Sequence, residues 1–174
     1  MIDRKSIAVI VPTAPSGMLF PQLAFYVRDR FEQVIIAAPE EDGSYDQVPV
    51  MRNKMIEGYL HNNAEWFAFL DNDLLPTEKL DPLWEAPGNI VGAEYTLRSP
   101  TAWSNQNTVH GGAIRIHRKV FETLPQPWFK YIYNEKHTAL VGCECLYFCR
   151  NALNAGFTVN RAGWTDHKNL RSYC

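Results

Sequence analysis

The sequence predicts an α/β fold with a mostly parallel, Rossmann-like central sheet flanked by helices, and three observations predict it. Residues 6–11 (SIAVIV), 33–38 (QVIIAA) and 66–70 (WFAFL) are short continuous apolar runs, the pattern of strands buried on both faces. Helical stretches over residues 19–30 and 47–60 separate them, and strand–helix–strand–helix–strand is the order of a parallel sheet. With 174 residues, 46% of them hydrophobic and 21% charged, the chain is an ordinary globular sequence long enough to bury a core.

Taken in order, the first run ends at Pro12 and leads into a Pro- and Gly-containing loop over residues 12–17. The polar turn 39–45 precedes the second helix, where Val48, Met51, Met55 and Tyr59 recur at helical spacing and predict one apolar stripe. The third strand ends at Asp71-Asn72-Asp73. Beyond it, residues 90–95 and 113–116 read as strands and 118–124 as a short helix. Residues 144–155 read as a helix closed by Gly156, and 158–160 as a last short strand. No repeat, low-complexity tract or interdomain linker interrupts the pattern, so the expectation is one domain over residues 1–174.

Composition narrows the function classes. Seventeen basic and nineteen acidic residues give a net charge of -2 with no block of like charge, which argues against binding nucleic acid through its phosphates. Only five apolar residues stand between Ser6 and Pro12, too few for a signal-peptide core, and no run approaches the roughly 20 residues of a membrane span. The expected location is the cytoplasm. Of the four cysteines, Cys143, Cys145 and Cys149 crowd together and Cys174 ends the chain, a poor layout for a disulfide framework. The spacing is not Cys-x-x-Cys and no second pair follows, so the thiols read as reduced and buried rather than as structural zinc ligands.

Asp71 and Asp73 carry the chemistry. Two carboxylates one residue apart at a strand end repel each other unless something cationic neutralises them. A hard divalent cation, Mn²⁺ or Mg²⁺, takes carboxylate and phosphate oxygens together. In a parallel sheet ligands bind beyond the carboxyl ends of the strands, where this pair lies. The bland alternative is a solvated Asx turn.

The segment Leu70-Asp71-Asn72-Asp73-Leu-Leu-Pro resembles the DxD segment of GT-A glycosyltransferases, above all the family-2-like group. Other pieces match in the same order. Residues 7–13 (IAVIVPT) resemble the first strand, which ends in Pro12-Thr13 beside the nucleotide. Arg52-Asn53 resembles the Ala-Arg-Asn start of the helix before the DxD strand. His110-Gly111-Gly112-Ala113 looks like the Gly-rich stretch behind the donor sugar, and residues 144–157 (ECLYFCRNALNAGF) like the Glu-Asp-containing helix. His167 sits where many members carry a late metal-binding histidine. The resemblance spans residues 7–167.

This resemblance implies a GT-A fold and transfer of a sugar from a nucleoside-diphosphate sugar to an acceptor hydroxyl. Asp71, Asp73 and His167 would hold the cation. Thr13, Arg52, Asn53, Asp71, Gly111 and Gly112 would meet the donor. Arg52 suits a diphosphate, because guanidinium recognises phosphate bidentately, and paired glycines admit a ligand close to the backbone. His110, His117 and His137 match no role and read as structural or exposed. The family's usual base, the Asp of Glu-Asp, falls on Cys145, a departure that leaves Glu144 as the group to orient or deprotonate the acceptor. Helical spacing puts Cys145 on the apolar face with Cys149 and Ala152, and turns Glu144 toward the cleft. A position at the helix start favours its ionised form.

Little chain follows His167 to build an acceptor lobe. The expectation is therefore a large or exposed acceptor (glycan, lipid-linked sugar or protein), or a partner chain, a second copy included, that completes the site. A sugar-1-phosphate nucleotidyltransferase is the enzymatic alternative, disfavoured because residues 12–17 carry no basic side chain. A phosphatase is weaker still. A degenerate domain that only binds sugar nucleotide or glycan is the non-catalytic alternative, kept open by Cys145.

Overall fold

The computed structural model describes residues 2–13, 18–37, 48–94 and 108–168. The turn expected over residues 39–45, most of the loop 12–17, Tyr95 and Cys174 lie outside the described residues. In chain order the strands are β1 (Ile7–Pro12), β2 (Gln33–Ala37), β3 (Trp66–Leu70), β4 (Leu74–Leu75), β5 (Ile90–Glu94), β6 (Ala113–His117), β7 (Ile132–Tyr133), β8 (Leu140–Gly142), β9 (Val159–Trp164) and β10 (Asp166–His167). The helices are α1 (Pro21–Arg28), α2 (Val48–Tyr59), α3 (Pro82–Glu85), α4 (Arg118–Thr123) and α5 (Glu144–Asn154).

Six strands form one sheet in the order β2-β1-β3-β6-β5-β9. β1 runs parallel to both β2 and β3, and β5 runs parallel to β9. β6 is antiparallel to its neighbours β3 and β5. The sheet is therefore mostly parallel with a single reversed strand inside it. β4 with β10, and β7 with β8, make two small antiparallel ribbons beside it.

Strict alternation along the strands explains why the apolar runs are continuous. Ala8 and Ile10 of β1, with Phe67 and Phe69 of β3, enter one core layer with Ile56, Phe121 and Phe148 from α2, α4 and α5. Ile7, Val9 and Val11, with Trp66, Ala68 and Leu70, enter the opposite layer with Leu23, Val27 and Trp84 from α1 and α3. Both faces are covered, so both sets of side chains must be apolar.

Arg115 breaks that rule on β6. It is fully buried, donates to the carbonyls of Trp84 at 2.9 Å and Ala86 at 2.6 Å, and lies over the Trp66 ring at 4.3 Å. A guanidinium thus closes the carboxyl end of α3, where carbonyls lack helical partners. Burial pulls the Arg115 pKa down to about 10.

Two expectations need correction at element level. The buried face of α2 is Pro49, Arg52, Met55 and Ile56, while Tyr59 is exposed, so the stripe is rotated to bring Arg52 inward. The last strand is longer than the expected 158–160, because β9 pairs along β5 through Trp164 with an irregularity near Gly92 and Glu94. Gly156, at φ 86°, does end α5.

Candidate functional site

β3 delivers Asp71 to the carboxyl edge of the sheet. The Asp71 N–H donates to the Gly112 carbonyl at 2.7 Å, which extends the β3–β6 ladder by one residue. The Leu74 N–H then donates to the Asp71 carbonyl at 3.2 Å and closes a turn that presents Asp73 on the same side. That turn feeds β4, which pairs with β10 so that His167 stands opposite Leu74. The Lys168 N–H donates to the Asp73 carbonyl at 2.9 Å and holds the register.

The outcome is a cluster of three groups drawn from two distant segments. Ligand atoms of Asp71, Asp73 and His167 all lie within 4.8 Å of one another. His167 Nδ1 is 3.1 Å from Asp73 Oδ1. Burial pushes the His167 pKa down, but the hydrogen bond to Asp73 and the charges of Asp71, Asp73 and Asp166 outweigh it, so the net shift is upward. The field that raises it is negative, and the same field favours a metal cation.

Gly112 shapes the space between these groups. A Cβ there would stand 2.7 Å from Asp71 Oδ2 and 3.3 Å from His167 Nε2. Only glycine keeps that cradle open. Two carboxylates and an imidazole are a donor set suited to Mn²⁺ or Mg²⁺, and these residues fit such an ion.

Arg52 lies beneath the cluster, 4% exposed. Its Nη1 donates to the Gly111 carbonyl at 2.8 Å, its Nη2 is 3.4 Å from Asp71 Oδ1, and its Nε is 3.9 Å from Glu144 Oε1. Its guanidinium also sits 4.9 Å from the Phe69 ring centroid. Gly111 is required for this seat, because a Cβ would lie 2.8 Å from Arg52 Nη1. Asn53 is occupied differently: its Nδ2 donates to the Phe129 carbonyl at 2.8 Å and its Oδ1 accepts from the Phe129 N–H at 3.0 Å. That clamp anchors α2. Thr13 is buried at the end of β1, its N–H donating to the Ala37 carbonyl at 2.9 Å.

Glu144 opens α5 and is 5% exposed. Burial pushes its pKa up, and the nearby Arg52 charge opposes this without cancelling it. Desolvation thus works against the ionised form that the helix start favours. Cys145 also departs from expectation. It joins a small cluster with Cys143 and Leu146, whereas Cys149 and Ala152 belong to the main core. Its Sγ accepts from the Gly111 N–H at 3.0 Å and donates to Glu144 Oε1 at 3.3 Å.

His110, read from the sequence as structural or exposed, is half-buried beside the site. Its ring is within electrostatic reach of Cys143, Arg161, His167 and Asp71. The one signal in the sequence was its adjacency to Gly111-Gly112. No single-chain pattern says that the segment before β6 passes between the metal-type cluster and α5.

No protein-family profile matches the sequence, and no curated protein matches it either. Solved structures do. A197 from STIV superposes with a TM-score of 0.62 at 17% identity, over 91% of this chain and 82% of that one. The catalytic domain of Drosophila beta1,4galactosyltransferase 7 in complex with xylobiose gives 0.58 at 19% identity, over 95% of this chain and 66% of that one. Glucosyl-3-phosphoglycerate synthase from Mycobacterium tuberculosis, in complex with Mn²⁺, UDP and phosphoglyceric acid, gives 0.56 at 14% identity, over 97% and 72%. At such identities the likeness is one of architecture, and the chain has the GT-A-like fold of these glycosyltransferases.

Proposed function

We propose that this chain is a metal-dependent glycosyltransferase that takes a sugar from a nucleoside-diphosphate donor. The observation that carries the reading is the convergence of Asp71, Asp73 and His167 around the cradle left by Gly112. The two solved glycosyltransferases of like fold support it, one of them in complex with Mn²⁺ and UDP. Asp71, Asp73 and His167 would hold Mn²⁺ or Mg²⁺, which supplies Lewis-acid neutralisation of the departing diphosphate. Arg52, already oriented by Gly111 and Asp71, adds fixed positive charge beneath the same place. Thr13 and the Gly111-Gly112 backbone border the donor. Glu144 orients the acceptor hydroxyl or takes its proton, and its raised pKa makes it the stronger base. The acceptor is a glycan, a lipid-linked sugar or a protein. Among the described residues no helix is long and apolar enough to cross a membrane.

Thermal shift with nucleoside diphosphates tests this reading. Ligand at a hundredfold excess over Kd stabilises by about 2.7 kcal/mol, or about 5–10 °C for a chain of this size. The shift requires Mn²⁺ or Mg²⁺ and vanishes in Asp71→Ala/Asp73→Ala. An equal shift in excess chelator rejects the metal-dependent mechanism. A second reading, binding without transfer, is favoured by Cys145 being engaged with Gly111 and Glu144. Absence of both donor hydrolysis and transfer, with binding intact, would select it.

A further inference from the structure

A second cluster of metal-binding groups lies at the start of α5. Cys143 Sγ, a Glu144 carboxylate oxygen and Cys145 Sγ are within 4.8 Å of one another, and all three residues are buried. Tetrahedral zinc, with bonds of about 2.3 Å to sulfur and about 2.0–2.2 Å to oxygen, places such atoms about 3.5–3.8 Å apart. The chain turn creates the convergence. Cys143 is extended, at φ -77° and ψ 168°, and Glu144 and Cys145 begin the helix directly after it.

Two further contacts suit a metal-bound thiolate. The Gly111 N–H points at Cys145 Sγ from 3.0 Å, a bond that strengthens when the sulfur carries negative charge. Arg52 Nε lies 3.9 Å from Glu144. His110 precedes Gly111 in the chain and lies within electrostatic reach of Cys143.

We propose that Cys143, Glu144 and Cys145, with the fourth position left to water, bind one Zn²⁺ ion separate from the cation at Asp71, Asp73 and His167. Charge closes around this site: Zn²⁺ with two thiolates and one carboxylate leaves one net negative charge, which Arg52 matches. Binding releases the two thiol protons to solvent, together with any proton on Glu144. Thiolates select zinc over Mg²⁺ and Mn²⁺, so the two sites sort their ions by ligand softness. On the reading of Glu144 given above, zinc also withdraws its carboxylate from the acceptor, and loading inhibits transfer.

Cobalt titration of the reduced, metal-free protein in excess Mg²⁺ tests the site without relying on sugar transfer. The expected result is a near-ultraviolet sulfur-to-cobalt charge-transfer band that saturates at one Co²⁺ per chain and is erased by one equivalent of Zn²⁺. Cys143→Ser and Cys145→Ser lose the band, whereas Asp71→Ala/Asp73→Ala and Cys149→Ser keep it. No such band at saturating cobalt, or an undiminished band in both Cys143→Ser and Cys145→Ser, overturns the proposal. Should the serine variants fail to fold, alkylation of the wild-type protein decides. Zinc must shield Cys143 and Cys145 from a thiol reagent, as read by mass spectrometry, and unshielded thiols reject the site.

Discussion

Arg52 does several things at once because its guanidinium offers five donors in a fixed plane. It bonds Gly111, approaches Asp71 and Glu144, and lies against Phe69. The two glycines beside it are equally specific. Gly112→Ala would drive a methyl toward Asp71 Oδ2 and His167 Nε2. The expected outcome is loss of metal-dependent nucleotide binding by tenfold or more, with the unfolding transition little changed, measured by calorimetric titration with Mn²⁺. For Glu144→Gln the expectation is normal donor binding with turnover lower by about two to four orders of magnitude. The same substitution has a pH signature. Glu144 is more basic folded than unfolded, so its protonated form suits the native state. Its contribution is fully present below the ordinary carboxylate range and is lost as pH rises through the elevated value. In chelator, wild-type stability should therefore fall relative to Glu144→Gln over that window, with Arg52, Cys143 and Cys145 as the facing groups. Parallel melting curves at every pH would contradict the shift.

At the scale of elements, the site depends on two short pieces that carry little stability of their own. β4 and β10 are two residues each, yet their pairing sets His167 against the Asp71–Leu74 turn. α3 is a single turn held by Arg115 from β6. Arg115→Ala would leave the Trp84 and Ala86 carbonyls without this donor and open a cavity under Trp66. Denaturant unfolding should register a loss of about 3 kcal/mol or more. The α3 contact lies on the sheet face opposite Arg52, so residual folded protein should bind metal and nucleotide normally. Weakened binding in proportion to the lost stability would show instead that α3 and the site open together.

For the whole molecule, the reversed strand is the architectural decision that matters. β6 runs antiparallel between β3 and β5, so the chain that enters it passes the carboxyl end of β3. Gly111 and Gly112 arrive there because of this reversal, and His110 with them. A sheet of parallel strands alone would have brought the amino end of each strand to the opposite edge. The carboxyl edge thus gathers residues from α2, the β3–β4 turn, the start of β6, the start of α5 and β10. Among the described residues, strand ends and helix starts make up this gathering.

The strands β1 and β3 were legible in the sequence because both of their faces are buried, and burial on two sides leaves only apolar residues. β2 was expected to be buried in the same way, but it stands at the sheet edge, where Ile36 is exposed. Asp71 and Asp73 stood out because charge immediately after such a run is costly without a partner. The family likeness added His167, Arg52 and the glycine pair, and the structure set these groups together. What the sequence could not determine was direction and depth. The α2 stripe pointed to Met51 and Tyr59, whereas the fold turned Arg52 inward, since Asp71 and Glu144 compensate its charge only once β3 and α5 are assembled. Glu144 looked like a charge favoured by its helix, and tertiary burial opposes that preference. Cys145 is buried as expected, but in a small cluster of its own, where its thiol also meets Gly111. Local pattern records which residues prefer water. Only the packed molecule decides which buried polar groups face one another, because desolvation and pairing depend on neighbours that lie far apart along the chain.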